Sequence, residues 1–367
     1  MRSLSWSDPE SEHSPPLTAG VQTATVRRMK QTIETHPLAG RFNRLTPEEI
    51  LDAVEAGGRR CTGRFIILNS YENRVYQLEL DDGTMVVGKF YRPGRWSRET
   101  ILAEHRFLFE LAEEEVPVAC PIELAPREAQ KTGTHGPQTL GEVQGIYYAL
   151  FRRVGGRAPE EPGDEQLSIL GRLVARIHNV GARAEEPDRI SLTPASYGRD
   201  NLEYLLENDV LDADVRDAYA ATVRALLERI EPLFQNVPVH RIHGDCHLNN
   251  LLWSPAGPTF LDFDDMLVGP AVQDIWLLAP ASDGEGKRQR QLLVKAYREM
   301  RDFDPAWLRL VEPLRALRYI HYATWIARRI DDPAFVRTFP HFGTLQYWQR
   351  EMQDLREQIA RIDHEMP

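Results

Sequence analysis

The stretch that decides the fold runs His243-Gly244-Asp245-Cys246-His247-Leu248-Asn249-Asn250, then Leu251-Leu252-Trp253. It turns at Ser254-Pro255-Ala256-Gly257-Pro258 and returns as Thr259-Phe260-Leu261-Asp262-Phe263-Asp264-Asp265. Two short apolar runs flanking a Pro- and Gly-rich turn form the pattern of a β-hairpin. If the runs pair about Ala256, Asn250 and Asp262 each stand six residues from the apex and face each other at the open end. One neutral and one anionic oxygen ligand there suit Mg²⁺, which takes few protein ligands and keeps positions for phosphate and water. Asp245 falls at the mouth of the same site, where a carboxylate can orient an attacking hydroxyl and accept its proton. Two blander readings compete. A polar loop satisfying its own backbone would leave the symmetry of the hairpin a coincidence. A zinc site of His243, Cys246 and His247 lacks a further ligand group and sits among hard oxygen donors, so both histidines read as structural hydrogen-bonders.

Upstream, Phe65-Ile66-Ile67-Leu68, Arg74 to Leu80 and Met85 to Phe90 read as strands, with Asp81-Asp82-Gly83 as a hairpin turn, and Gly145 to Phe151 reads as another. Thr46-Pro47-Glu48-Glu49 is a capping box with Pro at the first helical position, so order is expected to begin there. In the helix expected over 97–112, Glu104 shares a face with Ile101, Leu108 and Leu111. An acid pointing where apolar groups point needs a partner, and Lys89 on the preceding strand is the natural one. A strand Lys held by a helix Glu is how kinases grip the α- and β-phosphates, although an ordinary strand-to-helix ion pair has the same pattern. Residues 125–144 are polar and read as a surface loop, and Gly155-Gly156 reads as a hinge. Beyond it, amphipathic helices are expected near 167–180, 199–207, 212–234, 271–279, 286–300, 304–330 and 343–362. The stripe Arg315, Arg318, His321, Tyr322, Trp325, Arg328, Arg329 suits a substrate groove but reads more readily as the buried face of one of them. Asp264 and Asp265 suit a second metal, a cationic substrate or plain solvation.

The chain of 367 residues carries 44 basic and 55 acidic side chains, a net charge of −11. Without clustered basic residues, sequence-independent nucleic-acid binding is not expected. No apolar run approaches the roughly 18 residues of a membrane span, and three cysteines make no disulfide framework, so a cytoplasmic protein with no membrane partner is expected. Only five of the basic residues are Lys, which singles out Lys89 as a place that wants a compact ammonium.

His-Gly-Asp-Cys-His-x-x-Asn at 243–250, followed by Leu261-Asp262-Phe263-Asp264-Asp265, is similar to the catalytic and metal segments of the aminoglycoside phosphotransferase and choline kinase clan. Leu68 to Tyr76, Lys89 to Pro93, Glu115 to Ala119 and Gly269 to Asp274 resemble, more closely, bacterial stress-response kinases within that clan. The resemblance spans roughly residues 45–350. It implies a protein-kinase-like fold, Asp245 as catalytic base, Asn250 and Asp262 as Mg²⁺ ligands, and Ser70 in the loop over the ATP phosphates. Asp274 is implied to brace the catalytic loop. The segment Asn69-Ser70-Tyr71-Glu72-Asn73 lacks G-x-G-x-x-G, so backbone N–H groups and the Ser70 hydroxyl are its candidate phosphate donors. Gly244 stands where kinases usually carry Arg, so activation-loop phosphorylation is not expected.

The expectation is thus an α+β bilobal protein-kinase-like fold. Residues 1–44 are a loosely attached extension, 45–154 an ATP-binding N-lobe of antiparallel sheet and one main helix, and 155–367 a mostly helical C-lobe. The expected function is Mg²⁺- and ATP-dependent phosphorylation of protein Ser or Thr hydroxyls by a monomer, implied by resemblance to serve a stress response. Two alternatives stay open. A small-molecule kinase acting on an aminoglycoside, choline or homoserine-like alcohol would share the catalytic segment, and the acidic balance mildly favours a cationic acceptor. A nucleotide-binding regulator without turnover is opposed by the intact Lys89, Asp245, Asn250 and Asp262.

Overall fold

The computed structural model describes residues 38–68, 70–125 and 138–365. Packed structure starts before the capping box: helix α1 (Ala39–Phe42) delivers Phe42 and Leu45 into the core of the small lobe. Arg74 fixes this entry by donating to the carbonyls of Phe42 and Asn43. The sequence of α1 is too short to show a period, so only the contact reveals it. Of the expected extension, residues 1–37 lie outside the described residues.

Helix α2 (Pro47–Ala56) is capped as its sequence dictates, with the Thr46 hydroxyl accepting from Glu49 N–H and Glu49 returning the bond to Thr46 N–H. It covers one face of a five-stranded antiparallel sheet of β1 (Cys61–Leu68), β2 (Arg74–Leu80), β3 (Met85–Phe90), β4 (Gly141–Val143) and β5 (Ile146–Arg152). The strand order is β1-β2-β3-β5-β4. β4 lies inside the segment expected to be loop, too short to alternate visibly, and 126–137 of that segment lie outside the described residues. Alternation along β2 sends Tyr76, Leu78 and Leu80 toward α2, and Val86 and Phe90 join them from β3. Lys89, the intervening residue, therefore faces the opposite side.

That side meets α3 (Arg98–Glu113), whose Ile101, Glu104, Leu108 and Leu111 are all buried on one face as the 3.6-residue period requires. Arg241 of β6 (Val239–Ile242) ties α3 to the large lobe. Its guanidinium spans both Glu110 oxygens at 3.2 and 2.6 Å, lies over the Phe107 ring and also donates to Val180 and Gly181 carbonyls.

The large lobe is built from α4 (Asp164–Gly181), α5 (Asp200–Glu207), α6 (Arg216–Ile230), α7 (Val272–Leu278), α8 (Gly284–Tyr297), α9 (Val311–Ala327), α10 (Pro333–Thr338) and α11 (Leu345–Glu365). Two small sheets interrupt the helices. β6 pairs with β9 (Leu267–Pro270), and β7 (Leu251–Ser254) pairs with β8 (Gly257–Phe260). The β7–β8 hairpin is bonded on one outer side to the chain that crosses between the lobes and on the other to the small-lobe connection from α3 to β4. Arg157, just past the expected hinge, exchanges two backbone bonds with Trp253, while Phe260 bonds to Pro117 and Ala119. Among the described residues no helix is long and apolar enough to cross a membrane.

Two stability measurements follow. Phe42→Ala should cost about 3–5 kcal/mol in denaturant unfolding, whereas a residue of an unpacked extension would change it by less than about 0.5 kcal/mol. On α11, burial and the neighbouring Asp354 push the Glu351 carboxyl up to about 8. The folded state then holds this proton more tightly than the unfolded chain, so the contribution is complete below the ordinary carboxylate range and lost as pH rises through about 8. Glu351→Gln should flatten the fall in melting temperature between the ordinary carboxylate range and about pH 8, read by calorimetry across pH.

Candidate active site

The hairpin turns on two residues, Pro255 and Ala256, with the Ser254 hydroxyl accepting from Ala256 N–H and donating to the Gly257 carbonyl. Its centre therefore lies half a residue from Ala256, which corrects the expected pairing. Asn250 stands opposite Leu261, whose N–H it accepts at 2.9 Å, and Asp262 comes one step later. A two-residue loop matches the strand twist better than a turn centred on one residue, which explains the shift. Asp262 then takes a left-handed backbone (φ 56°, ψ 64°) and leaves the strand alternation.

Its carboxylate meets Lys89, Nζ lying 2.8 Å from Asp262 Oδ1, 3.3 Å from Asp264 Oδ1 and 3.7 Å from Glu104 Oε1. Burial opposes the ammonium charge, but the carboxylates of Asp262, Asp264 and Glu104 outweigh it and hold Lys89 well above the ordinary lysine range. Burial also raises the Glu104 carboxyl, to about 7, against the pull of Lys89. The expected Lys89–Glu104 pair thus exists as part of a larger cluster. Asp264 is not a solvated charge. It is buried and accepts from Arg95 at 2.6 Å and from the Asn73 amide at 3.0 Å, while Arg95 also pairs with Asp265.

Asp245 stands on the loop after β6, and Arg318 of α9 reaches it at 2.8 Å and His247 at 3.3 Å. Burial would raise its pKa, but Arg318 and His247 hold the carboxyl well below its usual range, so it is ionised at neutral pH. Asn250 donates its amide to the Asp245 carbonyl at 2.9 Å, which leaves its side-chain oxygen without a partner among the described residues. That oxygen, with the half-exposed Asp262 carboxylate, makes a small set of hard donors of the kind a divalent cation with retained waters accepts.

Asp274, in the first turn of α7, holds this loop. One oxygen accepts from Gly244 N–H, and the other from His243 N–H and from His178 Nε2, all within 2.9–3.0 Å. Gly244 has φ +82°, and a Cβ there would stand 2.3 Å from the Asp265 carbonyl, so no side chain fits where other kinases carry Arg. His243 Nε2 donates to the Leu261 carbonyl and Cys246 is buried with its thiol raised by desolvation. Neither is disposed to bind zinc, and the histidine acts as a hydrogen-bonder.

Ser70 is exposed and accepts from Asn73 N–H at 3.2 Å, so it shapes the loop between β1 and β2 rather than touching the Lys89 cluster. Asn69 lies outside the described residues. What fastens that loop is Glu72, which sequence reasoning missed. Its carboxylate is buried among Arg92, Arg95 and Arg329, accepts from Trp325 Nε1 at 2.8 Å, and is held below the usual range by the three guanidiniums despite burial. Arg318, Trp325 and Arg329 come from the stripe read as a plain buried face. The face is buried, but against the site. Charged residues recurring at helical spacing with aromatics were the available signal.

The phosphotransferase enzyme family model (APH) matches residues 66–311. The chain belongs to that family. It is 38% identical over 327 residues to Stress response kinase A of Salmonella paratyphi A, covering 89% of this chain and 96% of the relative. It is 37% identical, with the same coverage, to a Salmonella typhimurium protein named Serine/threonine protein kinase RdoA. Among solved structures, amicoumacin kinase hAmiN in complex with AMP-PNP, Ca²⁺ and Ami aligns at a TM-score of 0.65. The identity is 18%, over 85% of this chain and 94% of that one, a likeness of fold. Ion pairs of Glu72 with Arg92, Arg95 and Arg329 tie the β1–β2 loop down. Glu72→Gln should raise the KM for nucleotide roughly tenfold, about 1.4 kcal/mol, with a smaller change in kcat, measured by steady-state kinetics.

Proposed function

We propose that this chain transfers the γ-phosphoryl group of ATP to Ser or Thr hydroxyls of proteins, as a cytoplasmic monomer. What supports the reading is the ion-pair cluster of Lys89 with Glu104 and Asp262, the last next in the chain to Leu261, whose N–H bonds to Asn250, the residue whose amide donates to the Asp245 carbonyl. The relatives named stress response kinase and serine/threonine protein kinase support the acceptor class.

In this mechanism Lys89, oriented by Glu104 and Asp264, binds the phosphates next to the β1–β2 loop. Asn250 and Asp262 are the residues that would hold Mg²⁺, which when bound neutralises phosphate charge. Asp245, kept ionised by Arg318 and His247, accepts a hydrogen bond from the acceptor hydroxyl, aims its oxygen and takes its proton. A weak base suffices, because a loose phosphoryl-transfer transition state asks more of positioning and charge than of proton abstraction. The Asp274 carboxylate keeps the loop of Asp245 in register through two backbone N–H groups.

Asp245→Asn should lower labelling of a protein acceptor from γ-labelled ATP by roughly 10²–10⁴-fold while nucleotide affinity stays nearly constant. Incubation with a cell lysate, followed by mass-spectrometric mapping, should show new phosphoserine and phosphothreonine. Label appearing only on a small alcohol would replace the protein acceptor with a small-molecule one, and nucleotide binding without any labelled acceptor would favour a regulator.

A further inference from the structure

Glu104 presents its two oxygens to two cations. Oε1 lies 3.7 Å from Lys89 Nζ, and Oε2 lies 3.9 Å from Nη2 of Arg189. The side chains of Glu104 and Arg189 are 1% and 0% exposed. Glu104 Oε2 and Arg189 Nε and Nη2 have no hydrogen-bond partner among the described residues, and Glu104 is the carboxylate with which this guanidinium pairs. Burying an arginine with two N–H groups unbonded is costly, and an apolar side chain would fill the same place with less penalty. The position therefore calls for a reason beyond packing.

Arg189 is placed independently of Glu104. Its Nη1 donates to the Asp264 carbonyl at 2.7 Å, and its guanidinium lies 5.1 Å from the centre of the Trp96 ring. The large-lobe loop that carries it is bonded to β9, Leu192 N–H donating to the Val268 carbonyl at 2.7 Å and Val268 N–H to the Ile190 carbonyl at 3.0 Å. The same loop reaches α3 a second time, where Glu186 takes Arg106 at 3.2 Å. A guanidinium keeps its charge where an ammonium can lose it, so the large lobe sets a fixed cation against a helix of the small lobe. Glu104 needs that cation because Lys89 is shared. The ammonium stands closer to Asp262 and Asp264, at 2.8 and 3.3 Å, than to Glu104. Burial raises the Glu104 carboxyl to about 7, Lys89 draws it down, Asp264 pushes it up, Arg189 draws it down and Asp262 pushes it up.

We propose that Arg189 is a positioning residue for phosphate binding: its fixed charge keeps Glu104 a carboxylate, and Glu104 then holds Lys89 in place against the competing pull of Asp262 and Asp264. Arg189 touches neither nucleotide nor acceptor in this role and acts only through Glu104. The role rests on Lys89 being the phosphate ligand of the proposed function, and it does not depend on which acceptor is phosphorylated.

Titration calorimetry of the full chain with AMP-PNP and Mg²⁺ tests this through a double-mutant cycle. Arg189→Gln removes the charge but keeps an amide able to donate to the Asp264 carbonyl, and it should weaken AMP-PNP binding by about fivefold or more. In a Glu104→Gln background the same substitution should change the affinity by less than about twofold, because the carboxylate it acts on is gone. Arg189→Lys, which keeps the charge, should recover most of the affinity. Arg189→Met, of similar volume, takes the place of the glutamine variant in the cycle if that one does not fold. An equal loss in both backgrounds, a lysine variant as weak as the neutral one, or no loss at all would overturn the role. Lys89→Met separates this from the reading beneath it. Unchanged AMP-PNP affinity in Lys89→Met would overturn Lys89 as the phosphate ligand, and the role of Arg189 with it, whereas a weakened Lys89→Met beside an additive cycle would overturn Arg189 alone.

Discussion

A single buried ammonium facing three carboxylates is the constraint around which this molecule is arranged. Taking Lys89 out of water is costly unless its partners are close and themselves well bonded, and each partner arrives on a different element. Glu104 comes from α3, Asp262 from the end of the hairpin and Asp264 from the turn after it. The strand, the helix and the hairpin are therefore not free to drift apart, because any one leaving would strand a charge. Arg95 and Arg189 help to balance the anions without filling the half-exposed Asp262, which keeps one carboxylate turned to the cleft.

Much of this was legible in the sequence, for identifiable reasons. Glu104 was readable because it broke the apolar face of its helix at a position the 3.6-residue period assigned, and Lys89 because lysine is scarce here and this one stands on the preceding strand. The Thr46 capping box was readable because its chemistry closes within four residues. The hairpin was found but placed half a residue off, since composition marks a turn without saying how many residues it holds. Asp264, Arg95, Glu72 and Arg318 were opaque for a common reason: each is defined by a partner far along the chain, such as Arg95 to Asp264 across 169 residues and Trp325 to Glu72 across 253. A local pattern can show that a charge exists, but not that it is buried against another.

The same separation explains how the β1–β2 loop is held in place. Glycines let a loop approach phosphate closely and leave it loose. Here Asn73 and Glu72 anchor the loop to Asp264 and to the guanidiniums of two lobes, so side chains place its backbone. Gly244 is the counterpart on the catalytic loop, where the close passage of the Asp265 carbonyl excludes the arginine that in other kinases reads an activation signal.

The short hairpin between Asn250 and Asp262 is stitched along one edge to the α3–β4 connection of the small lobe at Pro117 and Ala119, and along the other to the crossing into the large lobe at Arg157. One small-lobe connection and the lobe crossing are thereby bonded to the same hairpin. Loss of those backbone bonds would therefore unfasten a piece of each lobe at once, since a single ribbon of eight paired residues carries both seams.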